Sequence, residues 1–415
     1  MDQKFVLGVN YWPRRKAMYW WSQFDAGEVR EEFDLIKELG LSVVRIFLLW
    51  DDFQPEPTSV DKNALINLVQ VADIAAQRGL GLDVTFFTGH MSGPNWAPRW
   101  LMTDQPGFSS PYFAWVRQVV TQGQVVPNGN YRNMFNDPVA LDAERLLLRT
   151  VVGALKDHPG IWMWNLGNEP DLFAWPADAD AGQAWAREMI SLIKSIDPLH
   201  PVTVGTHGDS LGRDNGFRID QVHVETDIPV MHSYPMYCEW ARGPLDPDYV
   251  PFTTALTAAL AGKPALMEEF GGCTNLPGKP SETWEWISYD NPRKQYMASE
   301  EDFAEYMRLV MPRVQEIGST GAFVWCFADY APELWNRPPC GESLHERHFG
   351  LVRPDGSIKP HAEAIRRFAE TKPLVKPIPA FARFPGLTGQ DYYSADLNEL
   401  QRALYRDYLA KKEQA

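Results

Sequence analysis

Two apolar runs in this chain end on glutamate. One closes as Trp164-Asn165-Leu166-Gly167-Asn168-Glu169-Pro170, the other as Leu266-Met267-Glu268-Glu269-Phe270-Gly271. Two carboxylates facing across one cavity are what cleavage of a glycosidic bond needs. One, protonated, releases the leaving oxygen while the other attacks the anomeric carbon. On this reading Glu169 is the acid/base and Glu269 the nucleophile. Side chains alternate along a strand, so only one of Glu268 and Glu269 is expected to face the cavity, and the Phe-Gly that follows favours Glu269. Histidines also follow apolar runs (His90, His207, His232), with Asp329 near the last, which admits a rival reading as a metal-dependent hydrolase. Against it, the first strand has no His-x-His and the fourth offers no bridging Lys. No metal and no organic cofactor are expected.

Something must hold these groups at one mouth. Short β-branched or apolar runs at residues 5–10, 42–48, 82–87, 161–166, 201–205, 229–232, 265–268 and 322–326 alternate with helical patterns. Helix starts are marked by Asp25 (with Glu28 completing a capping box), by Asp61, by Asp137-Pro138 and by Ser299 with Asp302. Leu146, Thr150 and Leu155 are read as the inner stripe of the third helix. Eight strand-helix units in unbroken series close most economically into a (β/α)8 TIM barrel of the α/β class, whose catalytic groups sit at the C-terminal strand ends. Long βα-loop insertions are expected at 88–136, at 271–298 and after the eighth strand. The barrel is expected to occupy 1–372. A Pro-rich extended tail and an amphipathic helix (Leu397, Leu400, Leu404, Tyr408) then fill 373–415, packing on the barrel or on a second subunit of a homo-oligomer.

The two glutamate motifs resemble clan A retaining glycoside hydrolases, most closely family 5, over about residues 5–370. That resemblance implies roles for further residues. Arg45 would keep the nucleophile ionised, and Asn168 would bind the sugar 2-hydroxyl. His232 and Tyr234, in His-Ser-Tyr-Pro, would sit beside the acid/base and donate to the nucleophile, respectively. Trp325 would floor the first sugar subsite, and His90 would contact substrate. The same His-Ser-Tyr-Pro stretch is similar to β-mannan-cleaving members, so the implied substrate is a β-linked oligosaccharide, with β-mannosides favoured. Long loops walling one end of the cleft point to exo-action, as a β-mannosidase. An endo-β-mannanase or a β-glucosidase/glucanase of the same family is the alternative.

Composition narrows the classes. A formal charge of −15 disfavours nucleic acid. The aromatic share of 13 %, with 16 Trp, fits either a large core or flat apolar platforms for sugar rings. No run approaches the roughly 20 apolar residues of a membrane span, and none resembles a signal peptide. Cys238, Cys273, Cys326 and Cys340 form no CxxC pair. A cytoplasmic protein with free thiols is therefore expected.

Overall fold

The computed structural model describes residues 3–104, 118–126 and 129–415. Residues 105–117 and 127–128 of the expected first insertion lie outside that description, as do Met1 and Asp2. Eight strands build the centre: β1 (Val6–Asn10), β2 (Val43–Leu49), β3 (Gly81–Thr88), β4 (Ile161–Asn165), β5 (Val202–Thr203), β6 (Val230–Ser233), β7 (Leu266–Gly271) and β8 (Gly321–Trp325). They run in the order β5-β4-β3-β2-β1-β8-β7-β6, with every neighbouring pair parallel. β5 is shorter than expected, and the ladder stops there. The gap to β6 is bridged one bond at a time. Thr203 Oγ1 donates to Ile228 O at 2.6 Å, and His232 N donates to Thr206 O at 2.8 Å. The result is a TIM barrel.

Helices cover the barrel because each has one apolar face. The Asp25, Asp61 and Asp137 side chains cap the helices Ala26–Glu38, Lys62–Gln77 and Pro138–Leu155 by accepting backbone N–H bonds. Glu28 does not complete a capping box. Its carboxylate takes the Lys16 ammonium at 2.5 Å instead. The inward face of Pro138–Leu155 is Ala143, Leu147, Val151 and Leu155, while Leu146 and Thr150 sit at its flank, one step round the helix from the expected stripe. The polar stretch after β5 forms two short helices, Gly208–Gly212 and Ile219–Glu225. The second insertion contains an antiparallel hairpin, Glu282–Ser288 with Asn291–Met297.

The chain returns to the barrel at its end. Phe5 N donates to Pro373 O, and Val375 N to Gln3 O, which pins the extended tail beside β1. The last helix, Leu397–Glu413, lies against this chain's own barrel. Tyr405 and Tyr408 are buried against Phe252, and the Tyr405 hydroxyl donates to Asp246 at 2.6 Å. No helix among the described residues is long and apolar enough to cross a membrane.

Candidate active site

Arg45 organises the site. It projects from β2 with no exposed surface. Its guanidinium donates to Thr85 Oγ1 (3.0 Å), Asn10 Oδ1 (3.0 Å), Asn168 Oδ1 (3.0 Å) and Glu269 Oε2 (3.1 Å). A buried cation is tolerated only when paired and fully hydrogen-bonded, and the planar fork of Arg satisfies four acceptors at fixed angles. Asn168 is fixed from its other end by a bond to His90 O at 3.0 Å.

Both glutamates of β7 turn toward this cation. Glu268 accepts from Asn165 Nδ2 at 3.0 and 3.1 Å and sits 3.5 Å from Arg45 Nη2. Strict alternation forbids that convergence. It is allowed because the register of β7 slips between Met267 and Glu269 against β6, and a slip of this kind re-aims a side chain. Of the two, only Glu269 lines the cavity. Its Oε1 accepts the Tyr234 hydroxyl at 2.6 Å.

Glu169 follows β4 with a left-handed backbone (φ 48°, ψ 55°), at the start of the short helix Pro170–Phe173. Such a conformation in a non-glycine residue costs of order 1–3 kcal/mol and is concentrated at functional sites. Its Oε1 lies 2.8 Å from His232 Nδ1, while His232 Nε2 lies 3.0 Å from Glu268 Oε2. Both ring nitrogens face carboxylate oxygens, so both serve as donors and the ring is an imidazolium. One oxygen of Glu169, one of Glu269 and a His232 nitrogen lie within 4.8 Å of one another. Three donors this close could cradle a metal ion, but a ring donating from both nitrogens has no lone pair left to ligate one. Of the rival set, Asp329 is paired with Lys359 Nζ at 2.7 Å, whereas His90 and His207 line the same cavity as the carboxylates.

The proton positions differ from expectation. Burial pushes the Glu169 carboxyl up, but the charges of His207, His232 and His90 override it and hold it at about 2. Burial lowers His232, yet Glu269, Glu169 and Glu268 together raise it to about 9. His207, bonded to Asp171 Oδ1 at 3.0 Å, is likewise raised to about 10 against its burial by Asp171 and Glu169. Glu269 is raised above the usual carboxylate range by burial. His232, Arg45 and Tyr234 pull it back without offsetting burial and the charge of Glu169. The balance of these charges thus favours an ionised Glu169 beside a protonated His232. Arg45 acts on Glu269 in the expected direction, but burial outweighs it.

Trp325 ends β8 with 4 % exposure, edge-on to Phe47 and bordering the cavity. His90 borders it too, its Nδ1 2.9 Å from Asn95 Oδ1, and burial lowers its pKa. The cavity holds about 720 Å³, the scale of a small-molecule site. Sequence reasoning left His207 without a role and missed Asp171, its partner. It also missed that Asn398 and Arg402 of the last helix and Arg293 of the hairpin would border the same cavity.

The family model for glycosyl hydrolases family 2, TIM barrel domain, matches residues 113–371. Its number differs from the family 5 of the resemblance. Curated relatives include mannan endo-1,4-beta-mannosidase A of Hypocrea jecorina, 25 % identical over 292 residues, covering 62 % of this chain and 60 % of that protein. This chain thus spans less than two thirds of the length of such relatives. Among solved structures, the exo-beta-1,4-mannosidase Op5Man5 from Opitutaceae bacterium strain TAV5 is similar at a TM-score of 0.71 and 25 % identity, covering 90 % of this chain and 60 % of that one. A glutamate-to-alanine variant of GH5_18 from Streptomyces cattleya, in complex with Manb1-4GlcNAc, is similar at a TM-score of 0.72 and 22 % identity, covering 90 % and 82 %. At that identity the second likeness speaks to fold.

Proposed function

The chain belongs to glycosyl hydrolases family 2, TIM barrel domain, and from that premise we propose that it is a retaining glycosidase acting on β-mannosides. The observation that carries the reading is the approach of the two carboxylates, with oxygens of Glu169 and Glu269 within 4.8 Å. Retaining enzymes hold the pair about 5–5.5 Å apart, whereas inverting enzymes leave roughly 6.5–9.5 Å for a water. Glu269, held by Arg45 and Tyr234, attacks the anomeric carbon and forms a glycosyl ester. Glu169 takes the proton stored on His232 across their 2.8 Å contact and gives it to the departing oxygen. It then removes a proton from the water that hydrolyses the ester. Arg45 and Asn168 position the nucleophile and the 2-hydroxyl, Trp325 supports the first sugar ring, and His90 braces Asn168. The chemistry uses protons and carboxylates throughout.

The mannoside preference rests on the relatives named above and on the His232-Ser233-Tyr234-Pro235 run. Exo-action on short chains is supported by the walls, since the hairpin and the last helix both border the cavity. Initial rates on aryl β-mannoside, β-glucoside and β-galactoside, with Glu169→Ala and Glu269→Ala alongside, test this. The mannoside is expected to be cleaved fastest, and each variant to lose several orders of magnitude. Cleavage of mannan polymers but of no aryl monoglycoside would replace exo-action with endo-action.

A further inference from the structure

Glu346 lies in the long loop after β8, within the 3-10 turn Leu344–His348, and takes no part in the mechanism above. Its side chain borders the catalytic cavity yet is only 8 % exposed. Oε1 is 3.4 Å from His345 Nε2. Oε2 is buried and makes no well-formed hydrogen bond among the described residues, though the Ser92 hydroxyl stands near enough to donate to the carboxyl. A buried carboxylate oxygen without a well-formed bond costs free energy and calls for an explanation. Burial raises this carboxyl to about 7 against the pull of Arg293. Near neutrality it can therefore accept from a hydroxyl or donate to one. Arg293 reaches the same wall from the hairpin, and Ser92 from the loop after β3.

On the glycosidase reading the leaving group departs past Glu169, which protonates it, and His207 lines the cavity with Glu169. Asp209, Glu239 and Arg402 line it too. On the same reading the sugar whose bond is cut lies beside the nucleophile Glu269, whose charge acts on Glu346 ahead of that of Glu169. The loops that follow β3, β7 and β8 supply Ser92, Arg293 and Glu346. We propose that Glu346 binds a hydroxyl of the cleaved sugar remote from the scissile bond and, with Arg293 beside it, closes the glycone end of the cavity. Its Oε2 is then the acceptor that a ring hydroxyl completes. This rests on the glycosidase reading and adds the group that measures the sugar's far edge.

The test compares wild type, Glu346→Gln and Glu346→Ala on aryl β-mannoside and on its 4-deoxy and 6-deoxy analogues. Wild type is expected to reject at least one deoxy sugar by about 10–100-fold in kcat/KM, the worth of a hydrogen bond to a charged group. The variants should lose that factor on the intact sugar and little on the deoxy sugar, so discrimination collapses. Unchanged discrimination, or an equal loss on all three sugars, overturns the proposal. If wild type cleaves neither aryl glycosides nor mannan oligosaccharides, the hydrolase reading fails separately. Crystals soaked in mannose then decide about Glu346. A hydroxyl within hydrogen-bond distance of Oε2 supports the assignment, and mannose absent from that oxygen overturns it.

Discussion

Replacing Tyr234 by Phe removes one hydroxyl and almost no volume. That hydroxyl donates to Glu269 Oε1 at 2.6 Å in a buried setting. A hydrogen bond to a charged group contributes about 1.5–3 kcal/mol. The bond favours the ionised carboxylate, so its loss raises the Glu269 pKa, already above the usual range. At 1.36 kcal/mol per unit, the rise is about 1–2 units. The ionised form is the nucleophile, so the acid limb of the kcat/KM profile should move up by that amount. Well below the limb the variant loses about 10–100-fold, and above it the loss shrinks to a few-fold. The limb reports the Glu169–His232–Glu269 cluster as a unit, which makes its direction the decisive feature. The assay is kcat/KM on the best aryl glycoside from pH 4 to 9, a span chosen to bracket ordinary carboxylate and imidazole titrations. An acid limb that stays put, or moves down, refutes the reasoning. A loss equal at every pH would mean that Tyr234 positions substrate and leaves the proton balance alone.

Arg45→Met should be the most damaging substitution in the site. It strips the counter-charge from buried Glu268 and Glu269, at about 3–5 kcal/mol of stability, readable as a fall in denaturation midpoint. Arg45→Lys should not rescue it, because one ammonium cannot reproduce the four bonds of the fork. His207 binds its proton more tightly in the folded protein, with a pKa of about 10, than in the unfolded chain at about 6.5. Its stabilising contribution is therefore whole below about pH 6.5 and is lost as pH rises through about 10. His207→Gln should flatten the melting-temperature decline across that window, and an unchanged slope would contradict the His207–Asp171 pairing. Replacing Glu282–Met297 by a short Gly-Ser turn should open the cavity and shift products toward longer oligosaccharides. An unchanged product length would mean that the hairpin does not set exo-action.

What could be read from the sequence follows from where the signal is local. Apolar runs ending in Asn-Glu and Glu-Glu mark strand ends directly, and the barrel follows from the alternation of apolar runs with helical patterns along the chain. β5 was harder to delimit because its closure to β6 depends on single bonds from Thr203 and His232, with only two residues of ladder. The hairpin in the second insertion was hidden by its turn. Tyr289 and Asp290 both take positive φ (47° and 61°), the geometry that Asn-Gly usually signals. The pair Glu268/Glu269 misleads because alternation is broken by a register slip that no residue type announces. The Leu397–Glu413 face shows periodicity alone, which cannot distinguish a barrel from a second subunit. Proton storage on His232 was not legible at all. It arises from three carboxylates and Arg45 converging from β2, β4 and β7 on a histidine of β6, and only their distances decide which group keeps the proton.

The central claim is a covalent intermediate on Glu269. A 2-deoxy-2-fluoro mannosyl fluoride of β configuration, with a fast leaving group and a slowed second step, should trap it. Peptide mass spectrometry of the inactivated protein is predicted to place one sugar on the Glu269 side chain. A sugar found on Glu268 or Glu169, or turnover with inverted anomeric configuration and no adduct, would contradict the account.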